Sequence, residues 1–365
     1  MNKNFVRKNI LNFQPYIPGK PIDDVKREFN LKEVVKLASN ENPLGPSSKA
    51  VSSIKKVLNK INIYPDGYCF ELRKKIAKIY GIGENQIIFG NGTDEIIELV
   101  GKTFLNPEDE IVVSEHAFIR YKMAGDLMGC KVMEVPMKNY KHDLNAMANA
   151  VTAKTKIVFI ANPNNPTGTY NTKKEFDNFF SKLLTTYHLP LTFIDEAYAE
   201  YVEEKDYSLG LGYLKKGLNV IFSRTFSKIY GLAGLRIGYG IASSEIISYL
   251  ERIRPPFNVS SVAQAGAVAA LDDKQHIQKS KKMIVQQKNY LYKELKKIGL
   301  EYIPSVANFI LINMDSPGQI VFEKFLKKGV IVRAMAEYGL KNFVRVTIGT
   351  PTENRKFIEE VKRII

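Results

Sequence analysis

Seven short apolar runs mark the middle of the chain. They are IIFG (87–90), IVVS (111–114), KVMEV (131–135), KIVFIA (156–161), LTFID (191–195), NVIFS (219–223) and RIGYGIA (236–242), all rich in β-branched or aromatic residues. Runs this short and this continuously apolar predict strands buried on both faces. Between them lie helix-like stretches, such as 94–105, 118–129 and 172–187. Strands alternating with helices predict an α/β fold whose seven-stranded, mostly parallel sheet is covered on both faces. In such sheets ligands meet the carboxyl ends of the strands.

After about residue 250 the pattern changes. A long helical stretch covers 273–298, followed by a strand (308–314), a helix (318–328), two short strands (330–334 and 343–348) and a final helix (352–364). This predicts a smaller α+β unit. The first 45 residues are rich in Pro, Gly and Asn and read as an arm. The expected division is an arm over 1–45 packing on the small unit, a large unit over 46–248 and the small unit over 249–365.

Composition narrows the class. The 365 residues are 45% hydrophobic and 25% charged, ordinary for a chain with a large core. The net charge of +15 raises nucleic acid as a partner. The basic residues are spread out, however, in short pairs on helix-like segments that read as solvated faces. No zinc-finger spacing or aromatic RNA-binding motif accompanies them. The reading is therefore no nucleic acid, no metal and no membrane, since no apolar run approaches the about 20 residues of a membrane span. Cys69 and Cys130 form no CxxC and the first residues lack a signal-peptide core, so the expected location is the cytoplasm.

Four stretches carry chemistry. In FGNGTDEIIELV (89–100) a strand ends, two glycines turn the chain and a helix begins near Thr93 and Asp94. Such a helix start cradles phosphate, although Asp94 reads equally well as a helix cap. In ANPNNPTGTY (161–170) a loop leaves a strand end, with Asn165–Pro166 a candidate cis peptide. LTFID delivers Asp195 to a strand end, with Tyr198 three residues on. RTFSKIYGLAGLRIG (224–238) sets Lys228 beside Thr225 and Ser227, with Arg236 within reach across a glycine turn. A buried lysine near other cations has a lowered pKa and becomes a nucleophile for aldehydes. A phosphate cradle, a strand-end carboxylate and such a lysine suit one ligand, pyridoxal 5′-phosphate.

The order and spacing of PYIPGKP (15–21), LASNENPLGP (37–46), YPDG (64–67), GNGTDE (90–95), NPNNPTG (162–168), DEAYAEY (195–201), RTFSKIYGLAGLRIGYG (224–240), RPPFN (254–258), ANFIL (307–311) and VRVTIGT (344–350) extend this picture. The sequence resembles the fold-type I pyridoxal-phosphate-dependent aminotransferases, and within them the branch that acts on histidinol phosphate. The resemblance runs over nearly the whole chain. It implies that Lys228 forms a Schiff base with the cofactor and then moves the substrate proton. Asp195 would keep the ring nitrogen protonated, and Asn165 and Tyr198 would bond the ring oxygen. Thr93, Asp94, Thr225, Ser227 and Arg236 would hold the phosphate, and Phe118 would stack on the ring. Tyr64 would reach the phosphate of a neighbouring subunit in a homodimer.

For the substrate, Arg345 matches the family arginine that binds a carboxylate. Arg333 lies twelve residues earlier, across a turn expected to bring the two side by side. Two arginines suit a phosphate dianion. Tyr16 and Asn42 resemble residues that close over the substrate. The implied reaction transfers an amino group between histidinol phosphate and 2-oxoglutarate, as a step of histidine biosynthesis. Aromatic amino acid transamination is the alternative, and decarboxylation on the same fold a more distant one.

Overall fold

The computed structural model describes residues 5–11, 13–186 and 189–364. Strands are numbered along the chain: β1 (Val35–Lys36), β2 (Ile87–Gly90), β3 (Glu110–Ser114), β4 (Lys131–Val135), β5 (Thr155–Ala161), β6 (Leu191–Asp195), β7 (Val220–Thr225), β8 (Gly238–Ile241), β9 (Tyr302–Ile303), β10 (Phe309–Asn313), β11 (Val330–Ile331), β12 (Arg333–Ala334) and β13 (Phe343–Thr347). Seven of them form one sheet in the order β2-β8-β7-β6-β5-β3-β4. The pairs from β7 to β4 are parallel, and β8 runs antiparallel to both β2 and β7. This is the α/β fold with the mostly parallel sheet that the seven runs predict.

The runs are continuously apolar because the sheet is buried twice. Successive strand residues point to opposite faces. Val158, Ile160, Val220 and Phe222 enter one core, while Ile157, Phe159 and Ile221 enter the other. The edge strand β4 differs: Lys131 and Glu134 are exposed there, which discourages pairing with another chain.

The remaining strands form a four-stranded antiparallel sheet, β12-β13-β10-β9, and a two-stranded parallel pair of β1 with β11. The single strand expected over 330–334 is therefore two. Val332 lies between them, and each half pairs with a different sheet. The strand expected to start at Arg236 starts at Gly238 instead. Arg236 closes a short helical turn in the left-handed region, with φ at 53°. The helix expected over 172–187 runs Lys173–Leu183 behind a Thr172–Glu175 capping box; position 187 lies outside the described residues.

The arm holds more regular structure than its composition suggests. A helix covers Ile22–Phe29, with Asp23 and Asp24 in its first turn and a left-handed Asn30 at its end. Its Val25 packs with Leu326 and Ile331. Earlier residues bond elsewhere: Asn9 Nδ2 donates to the Asp126 carbonyl on the helix Arg120–Met128.

An ion pair fixes the ends of β6 and β7. Arg224 Nε and Nη2 each lie 2.8 Å from Glu196 Oε2, and Nη1 lies 2.9 Å from Glu200 Oε1. The other Glu196 oxygen accepts from the Gly210 backbone. Glu196 is fully buried, so removing it strands the Arg224 charge. Glu196→Ala is expected to lower the free energy of unfolding by about 3–5 kcal/mol, measured by urea denaturation. Glu200→Ala, at the wetter end of the guanidinium, is expected to cost less.

Candidate active site

The carboxyl ends of β5, β6 and β7, the start of the helix Thr93–Phe104, the loop 38–41 and the strands β12 and β13 surround a cavity of about 400 Å³. Of the residues singled out in the sequence, thirteen line it. They are Tyr16, Thr93, Asp94, Phe118, Asn165, Asp195, Tyr198, Thr225, Ser227, Lys228, Arg236, Arg333 and Arg345.

Lys228 sits just past β7. Its Nζ donates to the Ser39 carbonyl at 3.0 Å and stands 5.7 Å from the centre of the Tyr198 ring. Burial, helped by the nearby Arg345 and Arg236 charges, lowers its pKa to about 8. The amine is thus half neutral near pH 8, where an exposed lysine is still almost fully charged.

Asp195 ends β6 and is buried. Its oxygens accept from the Tyr121 hydroxyl at 2.7 Å, the Ala197 N–H at 3.0 Å and the Ser223 hydroxyl at 3.4 Å. All three donors are uncharged. Burial pushes the carboxyl above its usual range even against those bonds. Such a group suits a cationic N–H arriving in the cavity.

At the glycine turn the backbone makes room for charge. Gly92, with φ at 78°, precedes the helix that starts at Thr93, and a Cβ there would lie 2.6 Å from Arg236 Nη2. A Cβ on Gly238 would lie 2.8 Å from the Thr93 nitrogen. The left-handed Arg236 aims its guanidinium at this helix start, where Asp94 Oδ2 accepts from it at 3.4 Å. Asp94 also faces Arg120 Nε at 3.5 Å. Thr225 Oγ1 accepts from the Ser227 N–H at 3.0 Å, tying the turn together.

The two arginines stand opposite each other in register on β12 and β13. Arg345 Nη2 donates to the Ala38 carbonyl at 2.7 Å and Nη1 to Asn165 Oδ1, while its buried Nε has no partner among the described residues. Arg333 Nη2 donates to the Ile17 carbonyl at 2.7 Å, and its guanidinium bonds to Glu337 and lies 5.5 Å from the Tyr16 ring. The arm is thereby held across the cavity.

Two residues lie elsewhere. Asn42 does not face the cavity: its Nδ2 donates to the Ile229 carbonyl at 2.7 Å and to Ser280 Oγ at 2.9 Å. It pins the turn after Lys228 to the helix Lys274–Ile298. Two positions earlier, Asn40 lines the cavity and donates to the Tyr198 oxygen at 2.9 Å. Tyr64 is 80% exposed and stacks on Phe257, outside the cavity of its own chain.

Sequence reasoning missed Asn40, Tyr121 and Tyr338, which all line the cavity. Tyr121 carried a signal, since it follows Phe118 by three residues and one helical turn places both on the same side. The two rings meet edge to face at 5.7 Å. Tyr338 carried none, because it lies on the loop between β12 and β13.

A cavity at the strand ends with a buried lysine, a strand-end carboxylate and a glycine-lined helix start defines the class. Residues 32–361 match the family model for aminotransferase class I and II, and the chain belongs to that family. A histidinol-phosphate aminotransferase of Moorella thermoacetica is 47% identical over 360 residues, which cover 98% of this chain and 92% of that protein. The solved histidinol-phosphate aminotransferase of Clostridium acetobutylicum aligns with a TM-score of 0.83 at 27% identity, over 91% of this chain and 99% of the other. That of Sinorhizobium meliloti, solved in complex with pyridoxal-5′-phosphate, shares the fold with a TM-score of 0.89 at 22% identity, over 100% and 99% of the two chains.

The lowered Lys228 pKa has a direct readout. In protein stripped of carbonyl compounds, labelling by an amine-selective reagent is followed by peptide mass mapping. The Lys228 rate is expected to reach half its maximum at pH about 8, against about 10.4 for exposed lysines. A lower pKa means more neutral amine at a given pH, so the Lys228 rate rises first as pH increases.

Proposed function

We propose that the chain is a pyridoxal 5′-phosphate-dependent transaminase that moves the amino group of L-histidinol phosphate to 2-oxoglutarate, giving imidazole acetol phosphate and glutamate, a step of histidine biosynthesis. The observation that carries the substrate is the pair Arg333 and Arg345, in register on neighbouring strands and lining the same cavity as Lys228. The relatives at 47% identity and below bear the same substrate in their names.

The residues fit the cofactor. Lys228 offers a neutral amine to its aldehyde, and the buried Asp195 carboxylate, with only uncharged donors, is matched by a protonated ring nitrogen. The helix start at Thr93, the space above Gly92 and Gly238, Ser227 and Arg236 suit its phosphate. When bound, the cofactor supplies an electron sink that makes the proton on the substrate's amine-bearing carbon removable.

The chain's own groups do the rest. Lys228 would hold the cofactor through its aldehyde and, as a free amine, would take up and return that proton. Asp195 would pair with the ring N–H and keep the proton there. Asn165 gives its amide oxygen to Arg345, which leaves its N–H groups and the Tyr198 hydroxyl for the ring oxygen. Phe118 supplies an apolar face for the ring. Arg345 Nε and the guanidinium of Arg333 bind the phosphate of histidinol phosphate or a carboxylate of glutamate in turn. Tyr16, on the arm, covers them.

The active unit is a homodimer. Tyr64 projects from an exposed apolar patch with Ile61, Ile63 and Phe257, and such a patch suits a second copy. In that copy's cavity the Tyr64 hydroxyl completes the phosphate site. Cys69 and Cys130 are both free, in keeping with work in the reducing cytoplasm.

The test is the visible spectrum of the purified protein. A yellow protein is expected that bleaches with L-histidinol phosphate alone and recovers with 2-oxoglutarate. Bleaching only with phenylalanine or tyrosine would move the substrate to the aromatic amino acids, and a protein that stays colourless with added cofactor would overturn the reading. Lys228→Ala is expected to lower turnover by at least about 10³-fold, because it removes the group that moves the proton. Arg333→Ala is expected to raise KM for histidinol phosphate about 10- to 100-fold, the value of a charged hydrogen bond, with a smaller effect on kcat.

A further inference from the structure

Three consecutive residues, 38–40, each touch a different side chain of the cavity. The Ala38 carbonyl accepts from Arg345, the Ser39 carbonyl accepts from Lys228 and the Asn40 side chain donates to Tyr198. The first two contacts use backbone that any residue supplies. The third depends on the side chain, whose amide is oriented through Thr347. Thr347 Oγ1 accepts the Asn40 backbone N–H at 2.9 Å. Its hydroxyl donates in turn to Asn40 Oδ1, 3.1 Å away. That bond fixes the amide, so Nδ2 faces Tyr198. The Tyr198 oxygen accepts there. Among the described residues its hydroxyl has no acceptor, so its proton is left for the cavity that Tyr198 lines. Asn40 is itself held in the left-handed region, φ 55°, with its carbonyl accepting from Asn308 Nδ2 at 3.0 Å. Asparagine tolerates that conformation better than most residues.

We propose that Asn40 is a positioning residue, which presents Tyr198 as a hydrogen-bond donor to the ring oxygen of the bound cofactor without touching the cofactor itself. This rests on the cofactor reading above. A donor on the ring oxygen would draw charge from it and lower the pH at which the cofactor's absorption changes. Asn40 strengthens the donor by bonding to its oxygen and orients it by occupying the other side. The charged and titratable groups facing Tyr198 are Lys228, Arg345, Asp195, Asp94, Tyr121 and Tyr201. All six are kept in the variants below, so a change reports on Asn40.

The experiment is a pH titration of the cofactor's visible absorption in the holoenzyme, comparing wild type, Asn40→Gly, Tyr198→Phe and the double variant. Glycine accepts the left-handed backbone and removes only the amide. The transition in Asn40→Gly is expected to move up by about half a pH unit, the scale on which one bond strengthens the next. In the Tyr198→Phe background, Asn40→Gly is expected to add no further shift. Asn40→Ala, which removes the same amide, serves if the glycine variant does not retain cofactor. A purely structural role would lower the denaturation midpoint and leave the transition in place; that result, or an equal shift without the Tyr198 hydroxyl, overturns the proposal. A wild-type protein with no cofactor absorption would instead sink the reading on which it rests.

Discussion

A carboxylate held in apolar surroundings without a cation is the constraint from which this cavity follows. Asp195 and Glu196 are adjacent, and strand geometry sends their side chains to opposite sides. Glu196 meets Arg224 and is neutralised. Asp195 faces the cavity and, among the described residues, meets only a tyrosine, a backbone amide and a serine. The guanidinium that would have quenched it is already committed next door. The chain therefore keeps one unpaired negative charge where a ligand can reach it, and the ion pair behind it holds the strand end still.

The amine is treated in the opposite way. Lys228 has a carbonyl acceptor in Ser39 and cations nearby in Arg345 and Arg236. Those charges and burial favour the neutral form. They also make the cavity attractive to anions, so the field that prepares the nucleophile also draws in phosphate and carboxylate. The glycines matter here for a steric reason: with side chains at 92 and 238, neither Arg236 nor the helix start reaches its place.

Much of this was legible in the sequence, and the failures have physical causes. The large sheet was readable because burial on both faces writes itself as continuous apolar runs. Residues attached directly to strand ends or to the glycine turn, such as Asp195, Asn165 and Lys228, were readable for the same reason, since the strand fixes their address. Asn42 and Asn40 were not separable: two asparagines two positions apart differ in role only through the left-handed turn at Asn40 and the partners that long-range packing supplies. The helix Ser261–Leu271 gave little apolar periodicity because it is alanine-rich. Its close fit against Ser48–Val57 depends on Gly266, where a Cβ would lie 3.1 Å from Ile54. Arg236 read as strand because its neighbours are apolar, and only its positive φ turns it back to the helix start.

The register of β12 against β13 has a consequence for how this binding end can change. Arg333 and Arg345 share a face because the antiparallel pairing sets them opposite each other. Shifting that pairing by one residue would send one guanidinium to the far side of the sheet. The width of the anion clamp is thus a property of the hairpin's length, not of either arginine. Within 335–342 the exposed Ala336, Lys341 and Asn342 can exchange side chains, whereas Met335, Tyr338 and Leu340 are buried together and Glu337 holds Arg333, and a shift of the strand pairing there would take the clamp apart. Substrate preference at this end can drift by substitution, whereas the number of residues in the connection is held by the geometry of two strands.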